Sequence, residues 1–165
     1  MSKHAKPSFA YVTYIAATPE KVWRALTDGA MTAQFWFGRR VDSDWKIGSP
    51  VTFWYEVNGA EAISDSGIVL ESNSPRRLSY TFHVEFIDEL RDEHPSRVTF
   101  EIEPTGDDVK LILTHDDFEP GSKILEGCGQ GWPVILCSLK SFVETGRPLS
   151  ASSAEAGAAA AEAAA

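Results

Sequence analysis

His115, Asp116 and Asp117 stand side by side, a combination that could serve acid–base chemistry or hold a metal ion. An extended backbone sends successive side chains to opposite faces, so the two carboxylates diverge unless the chain bends. With Phe118-Glu119-Pro120-Gly121 next, they read as a solvated strand-end loop. His115 shares its parity with Leu111 and Leu113 and therefore points to their side. An imidazole there could orient a ligand carbonyl or act as a general base; equally, it could be a core histidine satisfied by a backbone carbonyl at a sheet edge. Cys128 lies in Gly127-Cys128-Gly129-Gln130-Gly131, just before an expected helix whose free amides and dipole would lower a thiol pKa. No second residue is identifiable as its base. The glycines lack the strand–glycine–lysine order of a nucleotide loop and read as a flexible segment. His83 falls on the polar side of its strand and His94 in an acidic loop. Paired-cysteine and helical histidine spacings are missing from the sequence, so neither a metal nor a cofactor is expected.

A larger set is aromatic. Trp36, Phe53, Tyr55, Tyr80, Phe82, Phe100 and Trp132 fall at positions that strand alternation or helix periodicity turns toward one interior. Each could simply be core; together they suit the wall of an apolar cavity. Tyr55, Phe82, His115 and Trp132 are the expected lining, with Trp36, Tyr80, Phe53, Leu136 and Leu139 completing the wall. Trp45 and Trp54, of uncertain and opposite parity, hint instead at a protein-contact patch.

The elements that would position these residues are legible. Residues 131–148 read as one long helix: Trp132, Ile135, Leu136, Leu139, Phe142 and Val143 form an apolar stripe, Pro133 fits a first turn, and Gly146 and Pro148 stop it. Residues 9–16 make a first strand. Thr18 and Pro19 start a short helix to residue 28, and residues 30–37 a second. Strands are expected at 40–45, 50–57, 62–72, 77–86, 96–104 and 109–116, as an antiparallel meander with one dry face. The result is one α+β domain over residues 9–149, between a flexible N-terminus, 1–8, and an alanine-rich disordered tail, 150–165.

The chain has 165 residues and a net charge of -9, concentrated between residues 61 and 120 at about -10. Nucleic acid would be repelled there. No apolar run approaches the ~20 residues of a membrane span, and residues 1–7 lack a signal's apolar core, so a soluble cytoplasmic protein without membrane contact is expected. Cys128 and Cys137 fall on nearly opposite helical faces and should both stay reduced.

The order strand, two short helices, six strands and long helix resembles the helix-grip fold of the START-like (SRPBCC) superfamily. Several stretches are similar to the bacterial branch of the activator of heat-shock-protein-90 ATPase homologue family: Ala17 to Trp23, Ser43 to Pro50, Pro75 to Phe82, Ser96 to Pro104, Leu113 to Phe118, and Gly131-Trp132. The resemblance implies a space between sheet and long helix for a small apolar or amphipathic molecule. It leaves two other roles open: a chaperone partner, met through the acidic stretch Asp88 to Glu93 and exposed tryptophans, and a cyclase or hydrolase using His115 with Tyr55.

Overall fold

The computed structural model describes residues 5–150; residues 1–4 of the expected N-terminal arm and residues 151–165 of the expected tail lie outside them. Strand β1 (Phe9–Ile15) is followed by helices α1 (Pro19–Thr27) and α2 (Gly29–Phe35). Then come β2 (Arg40–Asp42), β3 (Pro50–Val57), β4 (Ala60–Asn73), β5 (Arg77–Val84), β6 (Ser96–Thr105), β7 (Asp108–Asp116) and α3 (Lys123–Thr145). The strands form one sheet in the order β1-β7-β6-β5-β4-β3-β2, antiparallel throughout. This is the expected α+β helix-grip architecture. Alternating apolar residues supply one dry face, with Leu78 and Tyr80, Val98 and Phe100, and Leu111 and Leu113 all buried against the helices.

The long helix starts eight residues earlier than its stripe suggests. Ser122 is its N-cap, accepting from the Leu125 amide at 3.2 Å, so Gly127, Gly129, Gly131 and Pro133 all lie inside it. Three glycines and a proline oppose a helix there, each glycine by about 1 kcal/mol relative to alanine. Burial overrides them: Ile124, Cys128, Trp132 and Leu136, four apart, carry the apolar stripe back through this segment. Proline at 133 withholds an amide from the Gly129 carbonyl, on an exposed turn where water can replace it.

Both ends of α3 are tied down. Glu93 accepts from the Lys123 amide at 2.8 Å and from the Ser122 hydroxyl at 2.6 Å, a carboxylate set against the positive helix end. Near the other end, Glu144 accepts from the Ala16 amide at 2.8 Å and Lys140 donates to the Tyr14 carbonyl at 2.6 Å. The helix spans the sheet as a beam held on either side, and its underside need not be filled everywhere.

A bulge decides what faces that underside. Phe53 pairs with Asp65 but Trp54 pairs with Ile63, leaving Ser64 as the extra residue of β4. Its carbonyl accepts the Glu85 and Phe86 amides at 2.8 and 3.1 Å. Two consecutive residues, Ser64 and Asp65, consequently turn inward and are buried. Elsewhere Gly67 lets β4 meet β5 closely, since a Cβ there would lie 1.8 Å from the Thr81 carbonyl oxygen.

Candidate functional site

Between α3 and the sheet lies a cavity of about 120 Å³, walled by Trp36, Phe82, Val84, Leu90, Ile124, Trp132 and Ile135, and opening past Phe37, Phe86, Ile87 and Lys123. It sits beneath the N-terminal half of α3, where Gly127 and Gly131, both buried, face it. Glycines four apart on the inner stripe withhold side-chain volume where every other inward position supplies it. That is the local origin of the hollow.

Of the residues expected to line such a site, Trp36, Phe82, His115 and Trp132 are brought together on its wall. Phe53, Tyr80, Leu136 and Leu139 are not on it. They are essentially inaccessible and close the core beside the cavity, with Phe53 centred 4.9 Å from Trp36 and 6.1 Å from Tyr80. Tyr55 is half-buried and stands behind the wall, packing on Phe86, 6.0 Å between centroids, and under the Arg39 guanidinium at 5.2 Å.

His115 is held on every polar atom. The Trp132 indole N–H donates to Nδ1 at 3.0 Å, so Nδ1 carries the lone pair and Nε2 the proton. Nε2 lies 2.7 Å from the Ser96 hydroxyl, which donates in turn to the Phe82 carbonyl at 3.2 Å. Burial pushes the imidazole pKa down to about 3, with Asp116 opposing weakly. A neutral imidazole whose lone pair already receives an indole proton is not poised as a general base. It is satisfied by side chains from β6 and α3 rather than by a carbonyl at a sheet edge, β7 being an interior strand.

The other chemical candidates disperse. Asp116 pairs with Arg97 through two contacts of 2.8 and 2.7 Å, whereas Asp117 is exposed and meets Lys6 at 3.4 Å. His83 bridges Glu85 and the Arg91 carbonyl, each at 2.8 Å. Trp45 is not an outward ring: it packs on the core and its indole donates to the Thr27 carbonyl at 3.0 Å. Of the acidic stretch, Glu93 is engaged at α3, whereas Asp88, paired with Arg91 at the surface, and Glu89 and Asp92 are exposed. No group of three metal-ligating side chains occurs among the described residues.

Cys128 reverses its expectation. It lies beyond the first helical turn, where amides are already bonded, and burial pushes its thiol up to about 12. Cys137 is exposed and both thiols are free. Alkylation of the folded protein at pH 8 should therefore label Cys137 alone, and Cys128 only after unfolding; rapid native labelling of Cys128, read by peptide mass spectrometry, would contradict this burial.

Sequence pattern gives no sign of Asp65 and Arg39, the two charged side chains buried at this cavity. Asp65 is 4% exposed and its carboxylate accepts from the Ser64 hydroxyl at 2.7 Å. Burial raises its pKa to about 6, against the opposing pull of Arg39 and the Ser64 hydrogen bond. The bulge that turns it inward leaves no periodic signature.

A curved antiparallel sheet closed by one long helix, with a hollow between them, defines a helix-grip protein of the START-like class. Residues 16–144 match the family described as Activator of Hsp90 ATPase homolog 1-like protein, and the chain belongs to it. Among solved structures, a protein of Cytophaga hutchinsonii is 29% identical, the match covering 86% of this chain and 96% of that one with a TM-score of 0.68. An HSP90 activator from Plasmodium falciparum is similar at 24% identity, covering 86% and 97%, with a TM-score of 0.64. The Aha1 dimer from Colwellia psychrerythraea shares the fold at 19% identity, covering 85% and 98%, TM-score 0.66. Comparison with curated proteins finds no match. No helix among the described residues is long and apolar enough to cross a membrane.

Proposed function

We propose that this protein binds a small, mostly apolar molecule in the hollow beneath the first half of α3. The observation that carries the reading is a void of about 120 Å³ with a predominantly apolar wall, left where two glycines face inward. A dry engineered cavity of about 150 Å³ accepts benzene, whereas drug-sized ligands occupy roughly 300–1,000 Å³. The hollow therefore suits a single ring or short chain, and anything longer must extend past Phe86 and Ile87. A chaperone partner, the second reading, is supported by family membership and by the exposed acidic residues Asp88, Glu89 and Asp92, but not by Trp45, which is engaged within the fold.

Titration with toluene, ethylbenzene and short-chain alcohols, followed by NMR, tests the reading. Saturable shifts are expected at the Trp36 and Trp132 indole N–H signals, and Gly127→Leu, which fills the hollow, should abolish them. Shifts restricted to the outer sheet face, or none, would count against binding here.

A further inference from the structure

The cavity has a polar end built from two opposite charges that do not touch. Among the described residues, Asp65 has no cation within the 4.0 Å of an ion pair, although Arg39 is the positive group whose field acts on it most. Arg39 is only 8% exposed; its guanidinium lies 4.8 Å from the centroid of Phe86 and 5.2 Å from that of Tyr55, and it donates to the Phe37 carbonyl at 3.2 Å. Those rings hold the planar fork in place by cation–π attraction.

Both groups keep unused capacity. The carboxylate takes one hydroxyl, from Ser64, and the guanidinium, with five N–H groups, makes one hydrogen bond. Every fully buried side-chain nitrogen or oxygen among the described residues has a partner, so the remaining oxygen of Asp65 and the remaining N–H groups of Arg39 are ones that reach accessible space. Both residues line the hollow. An acceptor and a donor are thus set in a mostly apolar chamber, whose other polar lining is His115, with both ring nitrogens engaged, and Lys123, exposed at the opening.

We propose that the ligand is amphipathic and carries a neutral hydroxyl or amide, which donates to Asp65 and accepts from Arg39 while its apolar body lies against Trp132, Phe82 and Ile135. The inference rests on the cavity reading above. The charge pair selects by exclusion as well as by attraction. A carboxylate drawn to Arg39 meets Asp65, and an ammonium drawn to Asp65 meets Arg39. A group that both gives and takes a proton in hydrogen bonding satisfies the two at once. Hydrogen bonds to charged partners are the stronger kind, and a site built around them rejects an analogue that leaves them empty.

Phenol, toluene, benzoate and benzylamine are near-isosteric probes of this end. Dissociation constants are read from the Trp36 and Trp132 indole signals for the natural chain, Asp65→Asn and Arg39→Met, each checked for native dispersion. Phenol should bind at least about tenfold more tightly than toluene and more tightly than either ion, and both variants should bring the phenol-to-toluene ratio toward one. Equal binding of phenol and toluene by the natural chain overturns the proposal and leaves the cavity reading standing. So does a phenol preference that both folded variants retain. Failure of all four probes to bind removes both. Arg39→Met supplies a second arm that does not depend on how the amide introduced by Asp65→Asn orients, so a folded Arg39→Met that keeps the full preference is by itself decisive.

Discussion

Trp132→Ala should destabilise the protein by roughly 4 kcal/mol, measured as the urea unfolding free energy. Trp132 joins two systems. Its ring packs edge-on to Trp36 at 5.3 Å and to Phe100 at 6.0 Å, fixing the middle of α3 on the sheet. Its N–H satisfies His115 Nδ1, a buried lone pair whose other neighbour is the Cys128 sulfur at 3.4 Å. Truncation leaves both a cavity and a poorly served imidazole. Trp132→Phe separates them: the ring is largely kept and only the hydrogen bond is lost, so about 1–2 kcal/mol is expected. A loss below about 1 kcal/mol for the alanine variant would mean that the helix is held mainly by its ends, through Glu93 and Glu144. Domains of this size are stable by about 5–15 kcal/mol, so the larger loss is readily resolved.

The same residues show what a one-dimensional pattern conveys. Period-two alternation at Leu78 and Tyr80 or Val98 and Phe100 announces the dry face because local backbone geometry alone sets it. Trp36, Phe82, His115 and Trp132 are reachable from such periodicity, and they do meet on one wall. The start of α3 is hidden, since Gly127, Gly129, Gly131 and Pro133 are poor helix formers held in place by tertiary burial and by Glu93, remote in sequence. Asp65 is buried at the cavity beside the extra residue Ser64. A bulge is a property of paired strands, so parity counted along one strand cannot contain it. Glycines four apart on an apolar stripe are the available hint of a hollow, yet in a linear chain the same glycines resemble a flexible loop.

The charge state of Asp65 yields the second large effect, because it opposes His115 in the dependence of stability on pH. For Asp65 the folded pKa of about 6 lies above the ordinary 3.8. The native state thus keeps a proton that the unfolded chain has lost, and stability falls as pH rises through this window, by about 3 kcal/mol in full above pH 6. For His115 the folded value of about 3 lies below the ordinary 6.5, so the unfolded chain binds the proton first. Stability is then lost as pH falls from 6.5 toward 3, by up to about 5 kcal/mol. Between about pH 4 and 6 the two slopes have opposite signs and nearly cancel, which predicts a plateau followed by a steep loss below about pH 4. Asp65→Asn removes one slope. The variant should be more stable than the natural chain by about 3 kcal/mol at about pH 7.5, lose that margin from about pH 6 downward, and match it near pH 4. Glu144, held below the ordinary carboxylate range mainly by the hydrogen bond from the Ala16 amide, contributes equally to both proteins and drops out of the difference. Unfolding free energies at half-unit pH intervals decide the matter: a difference between the two proteins that stays constant from about pH 4 to 7.5 would show that Asp65 is not the group that titrates.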